Sequence, residues 1–523
     1  MCNKSLAFLL LAGLIGCPFV AAADDFNPAG VIVDSLPELT LNTLGIMPTT
    51  NPSLWAETPT AVLIDLIRQV GQTDLSPAER QFVVQLLSLD VTGTQFNDAE
   101  GKLGESGFLK ERLQALFNMG EWENVLKLID LIPETDISDD ILKIKVNTLL
   151  LKGDTQNACT LIEEKESELD TAYVDKMRIA CFLAKEEKEK AVLAFDIYQE
   201  KTGDTESLFA ILGENALHEI PTSLPKNAIL SPEDIYLAAL NKNPNIDWSK
   251  QLRAIKMTLA DLPTTNIPLR IALAEQSGLP LEAMKKIYRL PLFDSDLKDE
   301  NNRSVKRASL YQKIMQSVDN KQKSVLIHEW IDLIKKDGLF IRLAPIIADI
   351  FHTMNATDEQ IDLSFAAVQI YGLENNLSMA EPWFDVLQRG ESPTYQRQRF
   401  LLAPLWQNLG GGLPSDLEKR MNRYCGTKPI EACAMIQMFV NPEFYNHQEM
   451  INAVPDITDN PNEKRSSADI PEQAKTTRLG EFLLQAVLSI HNGKDLVKSY
   501  SFVQEVGQKE SRDALMREGM IFE

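Results

Sequence analysis

Histidine is scarce in this chain, and aromatic residues make up only 7% of it. Five histidines, His218, His328, His352, His447 and His491, are scattered too widely in sequence to suggest a cage of imidazoles. A modest aromatic share leaves the interior to Leu, Ile, Ala and Val, a diet that suits helix packed on helix. Alternating runs of β-branched residues bounded by hairpin turns are nearly absent, which argues against sheet architectures. Beyond the N-terminus no apolar run approaches ~18 residues, so no transmembrane helix is expected.

Signatures of chemistry are equally sparse. His328-Glu329-Trp330-Ile331-Asp332 stands nearest to a zinc-protease helix, but that motif needs a second His where Asp332 stands. The alternative is a helix that buries Val325, Leu326, Trp330 and Ile331. Gly410-Gly411-Gly412 lacks the Lys-Ser/Thr of a phosphate loop and reads as a helix-ending turn. Gly104-Glu105-Ser106-Gly107 is not the G-x-S-x-G elbow. Asp294-x-Asp296-x-Lys298 begins like a calcium loop but puts Lys at the third ligand and has no Gly. Asp456, Asp459 and Glu463 fit a solvated linker. Six tryptophans, at 55, 122, 248, 330, 383 and 406, are spread singly among helices as core anchors. An acidic chain always offers carboxylate pairs, whose separation sequence does not give. No catalytic, cofactor-binding or metal-binding residue is assigned.

Positive charge is outnumbered. Against 75 acidic residues stand 52 basic ones, a formal charge of −23. Such a surface repels nucleic-acid backbones and anionic lipid headgroups, so neither is an expected partner.

The N-terminus reads as an export signal over residues 1–23. Lys4 gives a positive start, Ser5 to Gly16 is a short apolar stretch, and Pro18 precedes an A-x-A cut at Ala21-Ala22-Ala23. Leu14-Ile15-Gly16-Cys17 resembles a lipobox, so a lipoprotein anchored through Cys17 is the alternative to a free periplasmic protein. Pro18 directly after that Cys favours the A-x-A cut.

Residues 108–200 are the most ordered part of the sequence. Gly120, Gly153 and Glu186 stand 33 residues apart, each at the turn of a helical hairpin. Leu116, Leu149 and Phe182 correspond before the turn; Val125, Ala158 and Ala191, then Ile129, Ile162 and Phe195, correspond after it. A fixed period of this size marks stacked helix–turn–helix units. Four cysteines follow the signal, and an even number in an exported chain favours disulfides. Cys159 and Cys181 lie equally far from Asp170, in the loop between two antiparallel helices, which puts their sulfurs at one height. Cys425 and Cys433 flank Gly426-Thr427-Lys428-Pro429 between two helices, and form the second expected pair.

These hairpins resemble tetratricopeptide repeats, whose period is close to theirs. The resemblance covers less than a fifth of the chain, and the family's Trp, Tyr and Pro positions are mostly unmatched. It implies a superhelix with a concave face for protein or peptide ligands.

The expected fold is therefore all-α, a helical-repeat α-solenoid with a C-terminal helical cap. An extended arm spans 24–51, repeats span 52–220, an irregular helical body 221–449, a linker 450–477 and the cap 478–523. Helices are expected from Pro52 to Val70, from Ser76, from Ser231, and through Trp248–Leu259, Pro268–Glu275, Leu281–Tyr288, Val305–Val318, Lys323–Lys336 and Leu339–Met354. Others start at Thr357 or lie around Trp383, Leu401 and Leu417. The functional expectation is a non-enzymatic envelope scaffold or adaptor for a protein or peptide partner, without cofactor. The rival is a cell-wall-active enzyme or accessory factor. Lytic transglycosylases have a superhelical body similar to this one, but their Glu-Ser and Gly-Leu-Met-Gln signature does not occur here.

Overall fold

The computed structural model describes residues 41–47, 55, 58–75, 77–91, 107–221, 223–225, 227–241, 246–293, 296, 302–374, 376–408, 411–412, 484 and 488. The signal, Cys17, Ser76, Leu417, Cys425, Cys433, the linker and all of the cap but Leu484 and Leu488 lie outside these residues. Helix dominates. Among the described residues the one β pairing is an isolated parallel bridge between Met47 and Leu89.

Helix α1 (Thr60–Gln72) starts later than the expected Pro52. Pro59 sits just outside it with extended backbone (φ −57°, ψ 134°), and a proline disfavours helical conformation in the residue before it. Leu63, Leu66, Ile67 and Val70 form its buried stripe. Helix α2 (Pro77–Ser88) buries Val83, Leu86 and Leu87. Arg112, on α3 (Gly107–Asn118), is almost fully buried. It donates to the carbonyls of Leu87 (2.6 Å), Leu44 (2.7 Å) and Leu89 (2.8 Å), tying the end of α2 to the lead-in segment. A cation placed on the last carbonyls of a helix satisfies groups that have no partner within the helix.

Three hairpins follow, α3 with α4 (Trp122–Ile129), α5 (Asp139–Leu151) with α6 (Thr155–Glu164), and α7 (Thr171–Ala184) with α8 (Lys188–Thr202). Their turns are the same device repeated. Gly120, Gly153 and Glu186 all adopt left-handed backbone, at φ 76°, 87° and 60°. Each donates its N–H three residues back, to Phe117 (2.9 Å), Leu150 (3.1 Å) and Leu183 (3.0 Å). The next residue donates five back, to Leu116 (3.0 Å), Leu149 (2.9 Å) and Phe182 (2.8 Å). This paired pattern is the Schellman ending of a helix. Val125, Ala158 and Ala191 are fully buried at the corresponding site after each turn, and Ile129, Ile162 and Phe195 are buried one turn later. Consecutive helices from α3 to α9 (Leu208–Leu217) pack side by side.

The second half then returns onto the first. Ser231 and Asp234 form the expected start signal: Asp234 Oδ2 accepts from the Ser231 N–H (2.7 Å) and hydroxyl (2.8 Å), ahead of α10 (Ile235–Leu240). Helix α10 packs on α7. The stretch expected as one helix from Trp248 is a 3₁₀ turn, Trp248–Lys250, followed by α11 (Arg253–Asp261). Helix α11 lies against both α3 and α5.

The remaining helices are α12 (Ile267–Ser277), α13 (Leu281–Tyr288), α14 (Arg303–Gln316) and α15 (Asn320–Lys336), the last ended by Gly338 in left-handed backbone. The expected helix Leu339–Met354 is broken into α16 (Phe340–Leu343), a 3₁₀ turn Ala344–Ile347 and α17 (Ala348–His352). Pro345 is the cause, since it has no N–H to give and its ring crowds the preceding turn. Helices α18 (Ile361–Leu373), α19 (Leu377–Arg389) and α20 (Pro393–Asn408) pack together at the end of the described chain. Just past α20, Gly411 donates to the Trp406 carbonyl (2.9 Å), the helix-ending turn expected there.

Candidate functional site

Cys159 on α6 and Cys181 on α7 are joined, with S–S 2.05 Å and Cα atoms 5.8 Å apart. The bond fastens the second hairpin to the third, as their position about Asp170 predicts. It braces the repeat and leaves no free thiol there.

His328 lies on α15, and the buried stripe of that helix is Ile327, Trp330, Ile331 and Ile334. Val325, expected inside, is 63% exposed, because it falls one position off the i, i+3, i+4, i+7 face. Among the described residues no three His, Cys, Asp or Glu side chains come together as a metal site. Among the described residues the most buried carboxylate, Glu275 at 2% exposure, is committed to structure. Its oxygens accept from Arg307 (2.9 Å to Nε), Tyr288 (2.6 Å) and Ser304 (2.7 Å), and Arg307 also pairs with Asp337.

A different cluster, which sequence reading missed, forms where α11 meets the first repeat turn. Arg253 donates to the Met119 carbonyl, to Ser277 O (2.6 Å) and to Gly278 O (2.9 Å), closing the ends of α3 and α12 together. One turn along α11, the Thr258 hydroxyl donates to Leu151 O (2.9 Å), at the end of α5. Helix α11 thus seals the turn ends of the first two hairpins. A Cβ on Gly120 would meet Met257 Sδ at 2.7 Å and Arg253 Nη1 at 3.2 Å, so this contact needs glycine for space as well as for φ.

Around Arg253 gather Arg80 from α2, Lys256 from the next turn of α11, and Arg342 from α16. Arg80 Nε stands 3.6 Å from Glu121, and Arg253 Nη1 stands 3.8 Å from the same carboxylate. Arg342 donates to Gln276 O (2.9 Å) and lies 3.5 Å from Asp74. Burial lowers the pKa of Arg80, Arg253 and Lys256, as expected where a positive charge is taken out of water. Lys256 is the innermost, at 2% exposure, and Asp74 opens to solvent. One signal in the sequence pointed here: Arg253 and Lys256 fill the first turn of α11, where the helix dipole disfavours cations. It is invisible if the helix is started at Trp248.

Compared with protein-family models, with curated proteins and with solved structures, the chain finds no match.

Proposed function

We propose that this protein is an exported helical-repeat scaffold, tetratricopeptide-like over its hairpins, that holds a protein or peptide partner. The observation carrying this reading is the recurrence of one left-handed turn geometry at Gly120, Gly153 and Glu186. Three superimposable turns on a 33-residue period are what stacked hairpin repeats produce. The disulfide agrees with an oxidising compartment such as the periplasm, and no helix among the described residues is long and apolar enough to cross a membrane. Helix α8 offers a landing place: Leu193 and Ile197, four residues apart, are 62% and 55% exposed.

Crosslinking in intact cells followed by mass spectrometry tests the reading. A specific envelope protein captured by the wild type, and lost with Leu193→Asp and Ile197→Asp, supports it. Turnover of peptidoglycan by the purified protein, with no partner captured, would replace the scaffold with the enzyme class. Mass spectrometry of the mature N-terminus separates cleavage after Ala23 from acylation of Cys17.

A further inference from the structure

The hairpin of α14 and α15 ends in a turn whose apolar side chains stay outside the core. Leu310, Tyr311 and Ile314 on α14, with Ile327, Trp330, Ile331 and Ile334 on α15, fill the buried stripes of the two helices. Met315, Val318 and Val325 lie off those stripes, at 47%, 94% and 63% exposure. The turn that presents them is fixed by its own hydrogen bonds. Ser317 donates its N–H to Lys313 O (3.0 Å) and its hydroxyl to Asp319 O (3.3 Å). The Asp319 carboxylate accepts from the N–H groups of Lys321 and Gln322, at 3.2 Å each, where α15 begins. Val318 therefore stands at the tip of the hairpin on backbone held from both sides. Apolar residues scattered singly over a surface are ordinary, but three gathered about one helix–helix turn form a protruding knob.

Lysines flank this knob. Lys313 and Lys321 are exposed and Lys323 is half-buried, and Lys321 shares a face of α15 with Val325, four residues on. Among the described residues none of the three has an ion-pair partner; farther from the turn, Lys306 stands 3.6 Å from Glu329. Asp319 is the one acid between Lys313 and Val325, so residues 313–325 carry +2 in a chain whose formal charge is −23. Gln312 donates to Tyr288 O (2.8 Å) and Leu290 O (2.9 Å), which holds the exposed Arg289 between them beside the same end of α14.

An apolar tip ringed by cations suits a surface that is apolar beneath and anionic on top. The apolar groups enter among acyl chains, while lysine stems lie along that layer and leave their ammonium groups at headgroup level. A convex knob needs no shaped recess in fluid lipid, whereas a folded protein partner would have to supply one. The chain's overall negative charge opposes approach from afar. Screening confines that field to about 10 Å in ~0.1 M salt, so at contact the local charge decides.

We propose that the α14–α15 turn is a reversible docking point for a bilayer surface carrying anionic phospholipid headgroups, with Val318 and Met315 entering the interface and Lys313, Lys321 and Lys323 meeting the phosphates. The assignment goes beyond the scaffold reading and does not rest on it, since it concerns where the molecule touches a membrane and not what it holds.

The test is sedimentation of the full mature protein with vesicles of phosphatidylcholine alone and of phosphatidylcholine mixed equally with phosphatidylglycerol. Binding to the mixed vesicles is expected to be at least about tenfold tighter and to weaken as salt is added. Lys321→Glu should weaken it at least about fivefold, the effect of one basic residue near an anionic surface. Val318→Asp should weaken it at least about tenfold, by removing the side chain that enters the interface. Both positions are exposed, so both variants should keep the wild-type Tm; if Val318→Asp does not fold, Lys321→Glu and Lys313→Glu decide. Leu193→Asp with Ile197→Asp, which removes the landing place proposed for a partner, should bind vesicles as the wild type does. The proposal is overturned if the wild type does not sediment with the mixed vesicles at low salt, or binds both kinds equally. It is overturned equally if the folded tip variants bind as the wild type does. Binding of poly-glutamate without binding of vesicles would assign the tip to an acidic protein segment instead.

Discussion

The guanidinium of Arg253 and the carbonyl of Met119 are hydrogen-bonded across 134 positions of sequence. The same side chain holds Ser277 and Gly278, so one residue closes the ends of two helices and binds the returning half of the chain to the first repeat. Arg253→Ala should leave three carbonyls without a donor and cost about 3–5 kcal/mol in urea unfolding. Arg253→Lys should recover less than half of that, because a single ammonium cannot reproduce the planar fork. A loss below about 1 kcal/mol for the alanine variant would show that water replaces the clamp.

The three repeat turns rank themselves by residue type and surroundings. Gly153 has nothing within 4 Å of a Cβ position, so Gly153→Ala should cost only the left-handed backbone penalty, about 1–2 kcal/mol. Gly120→Ala carries the same penalty plus the clash with Met257 and Arg253, and should cost more. Glu186 already bears the penalty at φ 60°, so Glu186→Gly should stabilise by about 0.5–1 kcal/mol. Denaturant midpoints of the three variants check the order, and a destabilised Glu186→Gly would contradict it.

These turns also show how far sequence reached. The period, the turn positions, the corresponding apolar sites and the Cys159–Cys181 bond were legible because each is set by residues local to a hairpin. Leu281–Tyr288 was placed to the residue, between Pro280 and Arg289. Failures came where one residue outweighed a pattern: Pro59 delayed α1, and Pro345 split the segment after Gly338. The cationic junction was not legible. Its members come from residues 74, 80, 121, 253, 256 and 342, and no periodicity links side chains that meet only when α11 folds back.

Arg307 and Glu275 form a buried pair that joins α12 to α14, and Tyr288 from α13 donates to the same carboxylate. Arg307→Met should cost about 3–5 kcal/mol, since Glu275 then keeps a buried charge with only Tyr288 and Ser304 as donors. Combining it with Glu275→Gln should recover part of the loss. A double variant as unstable as the sum of the two single ones would show that the residues act independently.

Removing the disulfide tests the repeat itself. The bond spans 22 positions, and in the chain-entropy account a loop of that length stabilises by about 3 kcal/mol. Cys159→Ala with Cys181→Ala should lose about that amount, and reductant should then have no further effect on the variant through this pair. Native-state hydrogen exchange should report the loss first in α6 and α7, the helices the bond joins.

Asp234 makes stability depend on acid in a direction that can be read separately. Its carboxyl is 3% exposed, and burial raises its pKa to about 6, against the Ser231 hydrogen bonds and Lys176, which pull it down; Glu233 pushes it further up. The unfolded chain ionises it near 3.8. Between these values the folded state keeps a proton that the unfolded state has released. The contribution is therefore complete below about pH 4 and is lost as pH rises through about 6. At neutral pH the fold carries a buried carboxylate at a cost of up to about 3 kcal/mol, the linkage equivalent of the shift. Asp234→Asn keeps an oxygen that can accept from the Ser231 N–H but has no charge to bury. Urea midpoints of wild type and variant should converge toward about pH 4 and separate by about pH 7, with the variant the more stable. A wild-type-minus-variant difference that stays flat across this window would mean that Asp234 is ionised throughout, held by its Ser231 bonds despite its burial.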